Sequence, residues 1–151
     1  MKPNGQFLYY YDPIKDSEVD FQHPRMKNPT YYNILRHSGG TITLLRAYEL
    51  TGDRKYLEGA WKSIDFFLTV IRDHEYLGQY ACYPFFNKKS KLGGAGVGLT
   101  ALIHYYRLTG DDQHRKHIDG LVHHILSRVS ETGELIGYFI HLSLIHISEP
   151  T

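Results

Sequence analysis

The sequence lacks the features that mark several large classes of protein. Cys82 is its one cysteine among 151 residues, which excludes an intrachain disulfide and a thiolate zinc cluster. Its 17 lysines and arginines nearly balance 16 aspartates and glutamates, so net charge favours neither nucleic acid nor an anionic membrane as a partner. It has no apolar run long enough to cross a bilayer and no recognisable signal segment. Localisation and oligomeric state stay open.

Aromatic residues, by contrast, are abundant. The chain has 13 tyrosines and 7 phenylalanines. On a nearly neutral chain, tyrosine rings suit stacking against uncharged or weakly charged groups such as sugar rings. We nevertheless expect most of them to pack between helices, with the hydroxyl at the edge of the core.

A repeated segment organises the sequence. Leu-Thr-Gly-Asp occurs at residues 50–53 and again at 108–111, and a period of about 58 residues indicates an array of similar units. Each copy ends an apolar-periodic run that follows a glycine pair, at 39–40 or at 93–94. Within the copy, Gly52 stands where a left-handed helix C-cap belongs, and Asp53 stands where the next helix takes its N-cap.

The predicted unit is a short strand, a loop, an inner helix, the Thr-Gly-Asp turn and an outer helix. The inner helix near 94–108 is apolar nearly all round, so we expect neighbouring elements to enclose it. The apolar faces of the outer helices include Trp61 and Ile71 in the first, and Val122 and Val129 in the second. The expected bounds are strands within 4–13, 78–86 and 132–140, a loop over 14–29, inner helices at about 31–50 and 94–108, and outer helices after Asp53 and Asp111.

The last ten residues break this pattern. Residues 142–151 resemble, without a gap, the in-frame translation of a transposase-type sequencing adapter, and such scars are excluded from fold reasoning. A native apolar strand ending is the alternative interpretation. The adapter interpretation makes the chain a fragment of a longer reading frame from metagenomic data. We therefore expect a partial domain at 4–141, poorly stable and inactive by itself, and a non-native tail at 142–151.

Alternating inner and outer helices with short strands at one end resemble the α/α toroid of the six-hairpin glycosidase-like superfamily. The resemblance rests on the glycine pairs, the two Leu-Thr-Gly-Asp turns and the aromatic strand segments, and it covers about residues 4–141. It implies an all-α fold class, namely helical hairpin repeats of an incomplete toroid. It also implies a substrate cleft at the strand-to-inner-helix junctions, formed by residues 9–36, 83–94 and the segment after Gly133.

Arg36 and His37 are the most suggestive residues at that end. They precede Gly39 near the start of an inner helix, where unpaired backbone N–H groups favour anions. A carboxylate, phosphate or sugar acid would there meet donors from side chain and backbone together, with Asn33 close by in sequence. His37 is also a candidate general acid or base. The structural alternative is that Arg36 braces a loop carboxylate and that His37 caps or packs.

Further candidates come from the first strand segment and from a basic loop at 87–91, in which Lys88, Lys89 and Lys91 are most simply explained by solubility. Tyr9, Tyr11 and Asp12 belong to an aromatic run that ends in Asp-Pro, which makes Asp12 a candidate carboxylate and equally a turn residue. Glycoside hydrolysis needs two such carboxylates, and the sequence near Lys91 supplies no second one. Lys91, beside the second glycine pair, is a candidate for binding an anion.

Two alternatives are rejected, the first on its sequence pattern and the second on its position in the unit. The glycines between residues 93 and 98 follow no βαβ pattern with a downstream ribose acid, which argues against a dinucleotide site. The histidines at 114, 117, 123 and 124 lie on an outer helix, where a solvated helix face is expected and a metal site is not. His104, on the apolar helix, is expected to be a hydrogen-bonded core residue. We therefore expect neither a metal nor a cofactor.

These patterns predict a carbohydrate-active or carbohydrate-binding protein. Arg36 and Lys91 indicate a uronate, and hydrolysis, elimination and epimerisation by acid/base catalysis all stay open. His37 and Tyr11 are the catalytic candidates, and the binding candidates are Arg36, Asn33, Asp12, Tyr9 and Lys91. The alternative is a non-catalytic helical-repeat scaffold whose concave face binds a protein or peptide.

Overall fold

The structure, a computed structural model, describes residues 1–19 and 31–140. Most of the predicted loop at 14–29 and the whole of the adapter-like tail at 142–151 lie outside these residues. In chain order the described elements are α1 Ile34–Thr51, α2 Arg54–Thr69, β1 Ile71–Tyr76, β2 Gln79–Pro84, β3 Lys89–Lys91, α3 Leu92–Thr109, α4 Arg115–Leu126 and β4 Tyr138–Ile140.

The expected all-α class is wrong. In the described part of the chain four helices accompany two antiparallel two-stranded sheets, β1–β2 and β3–β4, so the fold mixes helices and strands. The β1–β2 hairpin, with register from Ile71↔Pro84 to Tyr76↔Gln79, lies between α2 and α3 in the sequence and packs against α4. α4 consequently packs more extensively on β2 than on α3.

The hairpin was missed because its first strand was read as the end of an outer helix. Ile71 continues the apolar spacing of α2 but belongs to β1. A two-residue turn at Leu77 and Gly78 then reverses the chain, with φ of 50° and 73°. Positive φ at both central residues matches the twist of a hairpin, and here only one of the two residues is glycine.

The repeated turns are confirmed. Gly52 and Gly110 end α1 and α3 in the left-handed conformation, with φ of 68° and 72°. Their N–H groups donate to the carbonyls of Tyr48 and Tyr106, both at 2.8 Å. Asp53 caps α2 as expected, because its carboxylate accepts from the Lys55 N–H. The first turn therefore ends one helix and begins the next, whereas the second only ends α3, because α4 begins at Arg115 without a side-chain cap.

The proposed equivalence of the two glycine pairs is wrong. α1 and α3 have 18 residues each, and aligning their capping glycines pairs Gly40 with Gly98, whereas Gly93 and Gly94 fall opposite Leu35 and Arg36. A Cβ built on Gly98 would lie 2.3 Å from the Phe67 ring. Glycine at 98 thus allows α3 to approach α2 closely.

The core lies between α1 and its neighbours α2 and α3, and it extends to α4. Its fully buried apolar side chains include Leu45, Ile64, Phe67, Leu102 and Leu121. The expected enclosure of α3 is not observed, since Ile103 and Tyr106 are 38% and 40% exposed. On the outer helices, Trp61 and Val122 are also exposed despite their apolar spacing.

The three strand predictions differ in outcome. Among residues 1–19 there is no strand, only a bridge between Asp12 and Ser17, so the first prediction is wrong. The second is confirmed by β2. The third is confirmed in part, because β4 begins only at Tyr138 and pairs with β3.

Candidate functional site

A groove lies where the N-terminal ends of α1 and α3 meet. Residues 31–35 form one wall, and the other wall runs from the end of β2 through β3 into α3. The space between them is about 520 Å³, part of it open to solvent. The residues that line the groove are Tyr31, Tyr32, Asn33, Ile34, Leu35, Pro84, Phe86, Asn87, Lys89, Lys91 and Gly94.

Asn33 fixes the first wall by starting α1. Its backbone is extended, and its side-chain oxygen accepts from the N–H groups of Leu35 and Arg36 at 3.0 and 3.3 Å. These are the orphan donors of a helix N-terminus, so the cap determines where the helix begins. The predicted binding residue Asn33 lies in the groove, with its amide oxygen engaged by the helix.

Two lysines make the second wall cationic. In β3 the side chains of Lys89 and Lys91 are exposed, whereas Ser90 between them is buried. Alternate residues of a strand point to opposite faces, so Lys89 and Lys91 share one face of β3, and both line the groove. The chain enters β3 through Asn87 and Lys88, whose φ values of 51° and 58° form a tight turn.

Glycine lets the two walls come together. A Cβ on Gly93 would lie 2.7 Å from Cδ1 of Leu35, and one on Gly94 would lie 3.4 Å from Cγ of Pro84 and 3.8 Å from Cγ2 of Ile34. Cδ1 of Leu35 is the end of an exposed side chain, so a side chain at 93 would first displace Leu35 within the groove. Glycine at 93 thus leaves room for Leu35 between the two walls.

Tyr32 lies at the base of the groove and is held by His37. The Tyr32 hydroxyl is 2.7 Å from Nδ1 of His37 and accepts from the Phe7 N–H at 2.8 Å. The other ring nitrogen of His37, Nε2, lies 2.8 Å from the Ser63 carbonyl oxygen. His37 is 1% exposed, so the structure places this predicted catalytic residue behind Tyr32 and outside the groove.

Burial shapes the titration of this pair. It raises the pKa of Tyr32 to about 12, against the opposing hydrogen bond from Phe7. It also lowers the pKa of His37, an effect that the Ser63 carbonyl partly offsets. Both groups are consequently neutral near pH 7.

A cluster of aromatic and cationic groups borders the first wall. The guanidinium of Arg36 lies 5.3 Å from the centre of the Tyr9 ring, and Tyr9 meets the Tyr31 ring edge-on at 5.2 Å. Burial, and then a hydrogen bond with Tyr31, raises the pKa of Tyr9, while Arg36 opposes the rise. The structure thus brings the predicted residues Arg36 and Tyr9 together, beside a residue of the groove.

Tyr11 and Asp12 form a separate local structure. The Tyr11 hydroxyl donates to Asp16 at 2.6 Å, which raises the pKa of Tyr11. The Asp12 carboxylate accepts from the N–H groups of Ile14 and Lys15, as a turn aspartate does. Neither predicted residue lines the groove.

The remaining histidines are placed differently from the prediction. His124 is 1% exposed because it packs on His74 and Tyr83 of the β1–β2 hairpin, and His114 is 5% exposed and lies against Tyr105 of α3. The expected solvated face is therefore wrong. His104 is half-buried and lies 2.8 Å from the Glu49 carboxylate. Within residues 1–19 and 31–140 no three His, Cys, Asp or Glu side chains form a set that could hold a metal ion.

The groove lies within the predicted cleft segments at 9–36 and 83–94, but most of its individual lining residues are not among the predicted site residues. Tyr31 and Tyr32 were assigned to α1, although an asparagine at 33 is a stronger signal for the N-cap than the preceding aromatics are for a helix. Lys89 was assigned to a solvated loop. Lys89 lies on the same face as Lys91 only because this segment is a strand with alternating exposed and buried residues. The strand forms by pairing with β4, about 48 residues away.

Comparison with known families adds one match. A family described as D-glucuronyl C5-epimerase C-terminus matches residues 14–94, just over half of the chain's 151 residues. The matched stretch contains every residue that lines the groove. No curated protein matches the chain.

No helix in the described part of the chain is long and apolar enough to cross a membrane.

Proposed function

The chain belongs to the family of the D-glucuronyl C5-epimerase C-terminus, and from this premise we propose that its groove binds a uronate-containing carbohydrate and takes part in epimerisation. The observation that carries the proposal is that the family match spans the whole groove, including both lysines of β3. The match begins after Tyr9, Tyr11 and Asp12, so these three residues have less support as parts of the site.

The composition of the groove favours epimerisation over hydrolysis. Hydrolysis of a glycosidic bond takes two carboxylates that flank it. None of the described residues that line the groove is an aspartate or a glutamate. The groove instead contains Tyr31 and the two lysines Lys89 and Lys91, and a hydroxyl beside ammonium groups suits a reaction in which an anionic sugar loses and regains a proton.

Inversion at C5 of a uronate requires two proton transfers. A base removes the C5 proton, the electron pair moves into the adjacent carboxylate, and an acid returns a proton to the opposite face. The carboxylate gains negative charge in between, so cations beside it lower the barrier. Lys89 and Lys91 would supply that charge, and the Tyr31 hydroxyl is the groove's candidate acid or base. Arg36, stacked on Tyr9, would extend the cationic surface toward a neighbouring sugar.

Binding tests this proposal first. Titration of the protein with a glucuronate-containing tetrasaccharide should shift the backbone NMR signals of residues 31–35 and 87–94, and a glucose tetrasaccharide should not. Lys91→Gln should weaken the affinity about tenfold, because a charged hydrogen bond contributes roughly 1.5 kcal/mol or more. Lys88→Gln is the matched control, since Lys88 carries the same charge and does not line the groove.

Turnover is a separate measurement. In D₂O, a protein that epimerises the sugar should place deuterium at C5 of the glucuronate, and Tyr31→Phe should reduce the rate more than it reduces the affinity. Binding without deuterium incorporation would favour the alternative, a non-catalytic carbohydrate-binding protein. Equal affinity for the two tetrasaccharides would contradict the proposed site.

A further inference from the structure

His37 belongs to a chain of hydrogen bonds in which every proton can be assigned. A backbone carbonyl is only an acceptor, so Nε2 of His37, at 2.8 Å from the Ser63 carbonyl, must carry the proton. Nδ1 of the neutral ring is then an acceptor, and the Tyr32 hydroxyl must donate to it. The Tyr32 oxygen in turn accepts from the Phe7 N–H.

The serine and threonine hydroxyls on the other side agree with this assignment. Thr41 donates to the His37 carbonyl at 3.1 Å, so the Ser63 hydroxyl, which is hydrogen-bonded to Thr41, must be the donor of that pair. The Ser63 oxygen is thereby left as an acceptor toward Nε2 of His37, 3.0 Å away. All donors and acceptors are satisfied with a single orientation of the network.

Among the described residues, His37 has no ionic partner. Tyr32 reaches it from the segment before α1, Ser63 reaches it from α2, and the rings of Phe7 and Phe66 lie at 5.3 and 5.1 Å. None of these described contacts is with a charged group. A proton added at Nδ1 would occupy the position that the Tyr32 hydroxyl proton now takes. The Tyr32 hydroxyl could then no longer donate to His37.

We infer that His37 is a positioning residue, which as the neutral Nε2–H tautomer fixes the Tyr32 side chain at the base of the groove. The inference rests on the proposed function of the groove and deepens it. Tyr32 is the point where the N-terminal segment, α1 and α2 are tied together, through Phe7, His37 and Ser63. Its ring contributes surface to the groove, while its hydroxyl proton points inward.

Two conservative variants separate positioning from mere stability. The side-chain oxygen of His37→Asn can occupy the place of Nδ1 and accept from Tyr32, whereas the amide of His37→Gln reaches the place of Nε2 and bonds Ser63. Each variant keeps one hydrogen bond of the buried ring and loses the other, so we expect similar falls in melting temperature. Affinity for the glucuronate tetrasaccharide should fall about tenfold in His37→Gln and less than threefold in His37→Asn, because only the first releases Tyr32.

The pH dependence of binding below neutral pH gives a second measurement. As His37 is protonated, the affinity of the wild-type protein for the tetrasaccharide should fall and the NMR signals of the Tyr32 ring should shift. His37→Asn should show neither change. Equal loss of affinity in the two variants would overturn the inference.

NMR of the wild-type ring tests the inference without any ligand. The ¹⁵N signals of His37 at pH 7.5 should show a protonated Nε2 and an unprotonated Nδ1, and the opposite tautomer would overturn the assignment. If the wild-type chain fails to bind the tetrasaccharide, the proposed function fails. The inference is then decided by this tautomer and by whether His37→Gln, unlike His37→Asn, shifts the backbone signals of Asn33 and Lys91.

Discussion

The two inner helices are copies at one end and differ at the other. α1 and α3 have equal lengths and end in the same glycine cap with the same hydrogen bond. At their N-termini, Asn33 is replaced by Lys91 and His37 by Ala95. The copied ends only connect helices, whereas the ends that differ meet at the groove. The repeat therefore supplies a scaffold, and the departures from it supply the candidate site.

The outer helices differ for a related reason. α2 begins directly after the Asp53 cap and packs on α1. α4 begins only at Arg115, has no side-chain cap among the described residues, and packs mainly on β2. The β1–β2 hairpin contacts α4 through histidines, because Nδ1 of His123 lies 2.7 Å from the Tyr80 carbonyl oxygen and His124 stacks on Tyr83.

The largest expected effect is a loss of stability in acid. It comes from the contact between α4 and the β1–β2 hairpin. His124 stacks on Tyr83 and its Nδ1 lies 3.0 Å from Nε2 of His74. Burial, reinforced by Arg128 and His74, lowers the pKa of His124 to about 4, whereas an unfolded histidine has a pKa of about 6.5. The unfolded chain thus binds the proton first, and stability falls as pH drops from about 6.5 to about 4 and then levels.

That loss should be on the order of 3 kcal/mol, at 1.4 kcal/mol per pKa unit. Urea unfolding between pH 7 and pH 4 measures it. His124→Phe keeps an aromatic ring against Tyr83 and should make the slope clearly shallower, while the part that remains comes from other histidines whose pKa burial lowers, such as His37 and His114. Leu121→Ala is the control, because it opens a cavity on the same helix and should lower stability equally at each pH. An unchanged slope in His124→Phe would contradict the explanation.

The second largest expected effect is a difference in stability between variants of Gly40 and Gly98, which occupy equivalent positions in α1 and α3. A Cβ on Gly98 would meet the buried Phe67 ring at 2.3, 2.8 and 3.0 Å, whereas one on Gly40 would meet Phe7 at 2.9 to 3.2 Å. Phe67 lies in the core, but Phe7 is half-buried in the N-terminal segment and can move aside. Gly98→Ala should therefore cost about 2 kcal/mol through overpacking.

Gly40→Ala should change stability by less than about 1 kcal/mol, because the better helix propensity of alanine offsets the smaller clash. Thermal unfolding of both variants gives the comparison. Equal losses would show that α1 is packed as tightly at Gly40 as α3 is at Gly98.

The sequence was sufficient for the features with local causes. Glycine caps and Asp53 follow from the backbone at a single turn, and they were placed correctly. The β1–β2 hairpin was missed because β1 continues the apolar spacing of α2, and the choice between the two depends on pairing with β2. The same holds for the groove, since Lys89 becomes a neighbour of Lys91 only when β3 pairs with β4.

His37 shows the limit of residue-type reasoning. An arginine and a histidine beside a helix start indicated a chemical role, and the sequence contained no sign that Ser63 and Phe7 would enclose the ring. Those contacts come from residues about 26 and 30 positions away, so they depend on tertiary packing and not on a local motif.

The smallest expected effect concerns the N-termini of α1 and α3. It tests whether they differ in stability because only α1 has a side-chain cap. Asn33 and Lys91 share an extended backbone, with φ and ψ of −127° and 112° and of −117° and 128°. An asparagine at 91 can therefore adopt the capping geometry that Asn33 has. Asn33→Ala should destabilise by about 1 kcal/mol, and Lys91→Asn should stabilise by up to about 1 kcal/mol.

Urea midpoints of the two variants at pH 7 measure this difference, and Lys88→Asn is a control for the loss of one positive charge nearby. Because Lys91 also lines the groove, Lys91→Asn should gain stability while losing affinity for a uronate. Stability and affinity that fall together would mean that the lysine supports the helix itself. A gain in stability with a loss of affinity would instead indicate that Lys91 serves the groove as a cation, at the cost of the side-chain cap that an asparagine would give α3.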